Sequence, residues 1–156
     1  MRRPTGHTLL GPSSAPGLGD LLAGRHDFQP KAYELDLAGL SFIPAGEVSA
    51  PPSELLGGPA ARSLLETLRT HYDVIFVDSP PVLAVPDAVT LAPLCDAALT
   101  VVAAGRTDRP QLAQTQGALA AVGTRVTGVI LTHFNTTKSG SSYRYPSYGY
   151  TRANES

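Results

Sequence analysis

The stretch Tyr72-Asp73-Val74-Ile75-Phe76-Val77-Asp78-Ser79-Pro80-Pro81 carries the strongest fold signal in the chain. Its consecutive large apolar residues, 74–77, predict a buried β-strand covered on both faces, as in a parallel sheet. Asp78 follows where that strand ends, and open α/β sheets bind their ligands at the carboxyl ends of the strands. Pro80 and Pro81 cannot continue a central strand, so the chain turns there. The stretch therefore predicts a carboxylate within reach of a bound metal ion or phosphate.

Downstream and upstream of this stretch, predicted helices alternate with strands. An apolar stripe at helical spacing predicts a helix over 59–72. A second helix is expected over 85–94 and a third over 108–123, with a buried strand at 97–103 and a further strand at 126–131. Strands that alternate with helices predict an α/β fold with a parallel sheet, flanking helices and right-handed crossovers.

The first part of the chain has weaker signals. Residues 1–17 are rich in Gly, Pro, Ser and Thr and are expected to form a loop. A short helix is predicted at 18–23, with Gly24 as its C-cap. Short strands, or a strand pair, are predicted at 35–38 and 40–44.

Composition and charge argue against several classes of function. The 156 residues include 12 Lys+Arg and 13 Asp+Glu, a net charge of −1, which predicts neither nucleic-acid nor acidic-substrate binding. The single cysteine, Cys95, has no partner for an internal disulfide, and its apolar surroundings predict a buried structural thiol. No secretory signal is present, and no apolar run approaches the roughly 20 residues needed to span a bilayer. Any membrane contact is therefore expected to come through a partner.

Several segments, taken in order, resemble the bacterial tyrosine kinases that control capsule and exopolysaccharide synthesis. Asp78-Ser79-Pro80-Pro81, after its apolar run, resembles the Walker B segment of that family. Residues 16–22 and 52–56 resemble the family's "PGLSDVL" and "PSELL" segments. The other similar segments are Arg2-Arg3-Pro4 at the end of the second Walker-type motif, Val101-Val102 with Gly105-Arg106-Thr107, residues 128–131, and the tyrosine-rich tail.

This resemblance implies a P-loop NTPase-like (partitioning-ATPase-like) fold, in which residues 1–134 form part of a kinase domain. The implied activity is transfer of phosphate from ATP to tyrosine, with Mg²⁺ bridging the β- and γ-phosphates. Asp78 would hold the Mg²⁺ through water and help to orient the attacking phenol. Arg3, Asp87 and Asn135 are further candidates for contacts with the nucleotide or metal. Asp87 also has a structural explanation, because an acid in the first turn of a helix complements the helix dipole.

The phosphate-binding loop of the family, a Gly-rich run ending in Gly-Lys-Ser/Thr, does not occur in this sequence. We therefore expect the chain to be the C-terminal part of a kinase domain that lacks the P-loop strand. It is expected to be inactive alone, because Asp78 by itself gives a weak Mg²⁺ site. Loss of the P-loop strand is also expected to expose a long hydrophobic edge. Thr132 stands where the family has an adenine-side asparagine, and Asn135 lies further along the chain.

Residues 135–156 differ in character and are expected to form a flexible tail. Tyr143, Tyr145, Tyr148 and Tyr150 lie there among small, polar and charged residues. In the resembled kinases such a cluster is phosphorylated by a neighbouring subunit, so these tyrosines are predicted phosphorylation sites. The resemblance also implies a homo-oligomer, a membrane adaptor of the chain-length-determinant kind as partner, and a cytoplasmic position at the inner face of the cell membrane.

Two other functions stay open at the level of the sequence. The chain could be a non-catalytic tail module that a complete kinase phosphorylates. It could also be a relative of the partitioning and division-site ATPases, which share the sheet and a similar strand-end aspartate. Those ATPases lack a terminal tyrosine cluster, which counts against this alternative.

Overall fold

The computed structural model describes residues 16–36, 39–48 and 50–134. Arg3, Asn135 and the predicted phosphorylation sites at 143–150 lie outside the described residues, as do most of the predicted first loop and the tail. The helices are α1 (Leu18–Leu22), α2 (Pro52–Gly57), α3 (Pro59–Arg69), α4 (Asp87–Leu91) and α5 (Arg109–Ala121), with 3₁₀ turns at Pro30–Tyr33 and Ala92–Leu94. The strands are β1 (Ala98–Ala103) and β2 (Val126–Thr132).

The two strands pair in parallel and are connected by α5. Leu99 lies opposite Gly128 and Val101 opposite Ile130, after a register shift at the start of β1. Helix α5 packs on β2, and the chain leaves the helix through Gly123, whose φ of 75° lies in the left-handed region that glycine tolerates. The predicted α/β class with a parallel sheet is therefore confirmed, and the right-handed crossover stays a prediction.

A buried core lies among the first four helices. Leu22, Leu56, Ala61 and Leu91 form a buried cluster to which α1, α2, α3 and α4 each contribute one residue. Burial of a leucine side chain contributes about 1.5–3 kcal/mol, so this cluster is a main source of stability for the helical part. The partly buried residues around it are Leu18, Leu55, Leu64 and Leu94. The apolar stripe predicted for α3 accordingly faces the core, although the helix ends at Arg69 and not at residue 72.

The prediction of a buried strand at 74–77 is wrong for this chain. The segment has no strand assignment, and the side chains of Val74 and Phe76 are 68% and 85% exposed. A strand requires a neighbour to bond its N–H and C=O groups, and no backbone–backbone hydrogen bond joins 74–80 to another part of the described chain. The exposure of these apolar side chains agrees with the expectation of an uncovered hydrophobic edge.

Two other predictions need smaller corrections. The strands at 97–103 and 126–131 form, but they are not fully buried, because Leu99 and Val101 are more than half exposed. For the strand pair predicted at 35–38 and 40–44, the described residues show an antiparallel bridge between Glu34 and Ser41, with backbone hydrogen bonds from Leu35 to Leu40 and from Phe42 to Tyr33. Residues 37 and 38 of the predicted pair lie outside the described residues. Within the described ranges no helix has the length and apolar character to cross a membrane.

Candidate functional site

Asp78, the predicted catalytic and Mg²⁺-binding residue, lies on the surface. Its side chain is exposed, and within the described part of the chain it makes neither a hydrogen bond nor an ion pair. The two prolines that follow it separate the segment from the turn at 82–84, where Ala84 N–H donates to the carbonyl of Pro81. An exposed carboxylate without a partner among the described residues is available to bind a solvated cation.

Asp87 lies in a contrasting environment. It occupies the first position of α4 and is 2% exposed, next to the buried residues Ala88 and Leu91. It has an interaction partner, as a buried carboxylate requires. Its position at the helix start agrees with the structural explanation given by the sequence, and its contact with a nucleotide or metal stays a prediction.

The described carboxylates provide few ligands for Mg²⁺. The described residues contain no group of three or more His, Cys, Asp or Glu side chains placed to hold a metal ion together. Mg²⁺ in phosphoryl-transfer sites is commonly held by one or two carboxylates, with substrate phosphates and water as the other ligands. Asp78 fits that limited role, and the phosphates would have to supply much of the remaining coordination.

The carboxyl ends of β1 and β2 are joined by Thr132. Its hydroxyl donates to the carbonyl of Val102 at 3.1 Å, and its own carbonyl accepts from Ala104 N–H at 2.9 Å. Thr132 therefore has a structural function at the position where the resembled family has an asparagine. The next residue, His133, has a φ of 56°, which is rare for a residue other than glycine. Phe134 follows and is 55% exposed.

Sequence reasoning assigned no role to Asp20, yet it organises a junction between two segments. Its carboxylate accepts hydrogen bonds from the N–H groups of Gly17 (3.0 Å) and Glu47 (3.2 Å) and forms an ion pair with Arg25 at 2.7 Å. The hydrogen bond from Arg25, followed by that from the Gly17 N–H, lowers the pKa of the Asp20 carboxyl below its ordinary value of 3.8. The Asp three residues after Gly17 was the available sequence signal, since an acid there can bond the N–H at the helix start.

The same junction requires glycine at two positions. Leu18 N–H donates to the carbonyl of Pro44 at 2.7 Å, and Gly19 N–H to that of Ala45 at 2.9 Å. A Cβ atom at Gly17 would overlap the backbone of Gly46, which itself has a φ of 67°. The segment at 16–22, noted in the sequence for its resemblance, is thus held against residues 44–47 by direct backbone contact.

A buried tyrosine, Tyr33, also stabilises this junction. Tyr33 is 2% exposed, its hydroxyl donates to the carbonyl of Pro16 at 2.8 Å, and its ring stacks on Phe28. Burial raises the pKa of the Tyr33 phenol, with a smaller contribution from the charge of Asp20. Tyr33 therefore donates its proton in a structural hydrogen bond.

Cys95 behaves as the structural thiol that the sequence predicted, although it is only partly buried. Its Sγ lies 3.7 Å from the carbonyl of Leu91. Burial is the main cause of a raised pKa for this thiol, and the nearby carboxylate of Asp96 adds to it. A raised pKa disfavours the thiolate, which is the nucleophilic form.

Comparison with curated proteins finds bacterial tyrosine kinases. The tyrosine-protein kinase EpsB of Ralstonia solanacearum is 36% identical over 97% of this chain, which spans 21% of EpsB. CapB of Staphylococcus aureus is 28% identical over 93% of this chain and 64% of its own length. Etk of Escherichia coli K12 is 33% identical over 84% of this chain and 18% of its own length. The chain thus spans about a fifth of the EpsB relatives that it matches, and no protein-family model matches it.

Comparison with solved structures also finds kinase domains. The VpsO kinase domain superposes with a TM-score of 0.77 at 35% identity, over 86% of this chain and 66% of that domain. The kinase domain of Escherichia coli Etk also gives a TM-score of 0.77, at 30% identity, over 93% of this chain and 56% of that one. The chain therefore belongs to the family of bacterial tyrosine kinases, the BY-kinases, and corresponds to part of their P-loop NTPase-like kinase domain.

Proposed function

We propose that the chain is part of the catalytic domain of an ATP-dependent, autophosphorylating protein tyrosine kinase that acts in capsule or exopolysaccharide biosynthesis. The observation that carries this proposal is the match to solved kinase domains, which extends over 86% of the chain for VpsO and 93% for Etk. The names of the matched proteins indicate phosphate transfer to tyrosine, and the exposed Asp78 is a residue that fits Mg²⁺ binding in that reaction.

In this proposal Asp78 holds Mg²⁺ through water and helps to orient the attacking phenol. When bound, Mg²⁺ neutralises charge on the β- and γ-phosphates of ATP. The absence of a protein partner for Asp78 within the described residues leaves its carboxylate available for this role. Arg3 and Asn135 are proposed to contact the nucleotide, with Asp87 as a further candidate. Because the sequence contains no Gly-Lys-Ser/Thr phosphate loop, this polypeptide on its own is proposed not to transfer phosphate.

The proposed substrates include the chain's own tail. Tyr143, Tyr145, Tyr148 and Tyr150 are proposed to accept phosphate from a neighbouring subunit of a homo-oligomer. Each phosphate adds about −1.5 to −2 charges at neutral pH, so several phosphates so close together would repel one another. Phosphorylation is thereby proposed to release the tail and separate the subunits. A membrane adaptor is proposed to hold the assembly at the cytoplasmic face of the membrane.

A chimeric kinase domain tests the role of Asp78. This chain replaces the matched part of the VpsO kinase domain, so that the rest of that domain supplies the phosphate-binding elements. We expect incorporation of labelled phosphate from ATP into tyrosine. Asp78→Asn should lower the rate by about 100-fold or more, since even outer partners of metal ligands change metal affinity or activity by 10–100-fold.

Asp73→Asn is the matched control, because Asp73 is an exposed aspartate at the other end of the same segment. It should leave the rate within about 2-fold of the parent chimera, as expected for a surface substitution. Equal rates for the Asp78 variant and the parent would exclude the proposed metal role. A chimera that is folded by circular dichroism but inactive would contradict the proposed activity of the family part itself.

A further inference from the structure

The end of α3 does not follow the apolar pattern of the sequence. The apolar stripe of this helix extends to Tyr72, but the helix ends at Arg69, with Thr70 as its C-cap residue. Helices commonly end at a glycine in the left-handed conformation, and no glycine lies among residues 70–73. Another feature of the chain must therefore end α3.

The carbonyl oxygen of Thr67 is the point at which the helix stops. Thr70 N–H donates to it at 3.1 Å and the Thr70 hydroxyl at 2.7 Å, and Nδ1 of His71 lies 3.0 Å from it. In a continuing α-helix the N–H of His71 would bond this carbonyl, but here that N–H donates to Leu68 at 3.0 Å. The ring nitrogen thus takes the position of the backbone N–H of its own residue.

These distances assign the proton on the His71 ring. The Thr67 carbonyl oxygen is only an acceptor, so an unprotonated Nδ1 at 3.0 Å would face it with a second lone pair. The Thr70 hydroxyl lies 2.9 Å from Nδ1 and can accept from the ring while it donates to the same carbonyl. The hydrogen-bond network therefore requires a proton on Nδ1, which leaves Nε2 unprotonated in the neutral ring.

An aromatic contact orients the same ring. Phe28 meets His71 edge-on, with ring centroids 5.8 Å apart and an angle of 80° between the planes. Phe28 in turn stacks on the buried Tyr33. Although His71 is exposed, its ring is therefore fixed between the end of α3 and a residue that is packed against the core.

The position at which α3 ends also sets the start of the segment that carries Asp78. One further turn of helix, through Tyr72, would shorten the path to Asp78 by about 5 Å, because a residue advances about 1.5 Å in an α-helix and about 3.3 Å in an extended chain. We propose that His71, with its proton on Nδ1, ends α3 and thereby acts as a positioning residue for Asp78.

The part of this inference that concerns Asp78 rests on the proposed function, whereas the part that concerns the end of α3 does not. The end of α3 is measured by NMR on this chain without nucleotide, and the positioning of Asp78 by the Mg²⁺ dependence of the chimeric kinase domain. Failure of the proposed activity and failure of the inference are therefore distinguished by separate measurements.

Nitrogen-15 NMR of the full chain tests the assigned proton at about pH 8.5, above the range in which imidazoles ordinarily titrate. We expect the His71 ring to carry its proton on Nδ1. His26 is the control, because it is exposed and its ring has no hydrogen bond among the described residues. Its proton should lie predominantly on Nε2, the nitrogen that a free side chain prefers. A His71 ring protonated on Nε2 would overturn the inference.

Two substitutions separate the functions of the two ring nitrogens. The side-chain amide of asparagine comes close to the position of Nδ1, and that of glutamine close to the position of Nε2. His71→Asn should therefore keep the end of α3 at Arg69, whereas His71→Gln should extend helical backbone chemical shifts through Tyr72. Identical backbone shifts at residues 70–73 in the two variants would contradict the assignment of Nδ1 as the group that ends the helix.

The same pair of variants in the chimeric kinase domain tests the positioning of Asp78. His71→Gln should raise the Mg²⁺ concentration for half-maximal rate by about 10-fold, as loss of an outer partner of a metal ligand does. His71→Asn should leave this concentration within about 2-fold of the parent. A purely structural contribution of His71 would lower the melting temperature without changing the Mg²⁺ dependence, and that result would exclude the positioning role.

Discussion

At the scale of single residues, the backbones of Gly17 and Gly46 lie so close together that neither position has space for a Cβ atom. Gly17→Ala would drive a methyl group into the Gly46 backbone, and neither segment can move without breaking the hydrogen bonds of Leu18 and Gly19. We expect the free energy of unfolding to fall by about 3 kcal/mol, the upper end for an overpacked site. Urea denaturation of the purified chain measures this loss.

Gly117→Ala is the matched control for this substitution. Gly117 lies inside α5, and a Cβ atom there would meet nothing within 4 Å. Alanine should stabilise the helix by about 1 kcal/mol relative to glycine. If both alanine variants shifted stability in the same direction, the steric argument for Gly17 would be wrong.

The ionisation of Asp20 makes the stability of the junction around Gly17 and Gly46 depend on pH. Its pKa is lowered in the folded chain, chiefly by the hydrogen bond from Arg25, so the folded state favours the ionised carboxylate. The stabilisation is therefore present above the unfolded pKa of about 3.9 and is lost as the pH falls through the lower folded value. Asp20→Asn should lower the melting temperature at neutral pH, and the difference from the parent should shrink below about pH 4.

Asp27→Asn supplies the comparison for this titration. Asp27 is exposed in the same region and makes no ion pair with a described residue. Its replacement should leave the melting temperature at neutral pH close to that of the parent, as expected for a surface substitution. A constant difference between Asp20→Asn and the parent from pH 7 to pH 2 would mean that the carboxylate charge is not the source of the stabilisation.

The sequence could not reveal this role of Asp20. The N–H of Glu47 that it accepts lies 27 positions away, and nothing in the local pattern indicates that the two segments meet. Asp78 was found because its signal is local: an apolar run, a carboxylate and two prolines. The exposure of Asp78 agrees with the proposed site, and the chimeric kinase domain tests its function.

At the scale of elements, α5 shows how a local signal sets a helix boundary. The carboxylate of Asp108 accepts from Gln111 N–H at 2.8 Å, and the side chain of Gln111 accepts from Asp108 N–H at 3.1 Å, which is a complete capping box. Asp108→Ala should lower the free energy of unfolding by about 1 kcal/mol, whereas Asp108→Ser should retain most of it. Thermal denaturation followed at 222 nm measures both, and equal losses for Ala and Ser would exclude the capping explanation.

Elements with local signals were predicted well, and elements that depend on neighbours were not. The helix predicted over 108–123 and the strands at 97–103 and 126–131 differ from the structure by a residue or two at their ends. The segment at 73–78 has an equally strong apolar pattern but forms no strand, because the pattern supplies side chains and not a hydrogen-bonding neighbour. Apolar periodicity thus indicates which secondary structure a segment favours, and hydrogen-bonding neighbours determine whether that structure forms.

At the scale of the whole molecule, the sequence predicted the α/β class but not where the core would lie. The buried cluster joins the first four helices, while the sheet keeps an open apolar face. The predicted parallel pairing is correct because β1, α5 and β2 follow one another along the chain. The predicted burial of the sheet is wrong, because local patterns in this chain do not specify the elements that would cover it.

The junction around Asp20 has a consequence for the order in which the chain folds. The hydrogen bond between Glu47 N–H and the Asp20 carboxylate closes a loop of 27 positions, and loop closure costs chain entropy before any contact offsets it. The backbone contacts of Gly17 and Gly46 form only when that loop has closed. The described residues of 16–36 and 39–47 consequently gain their native contacts together, and they should open and close as one cooperative unit in native-state exchange.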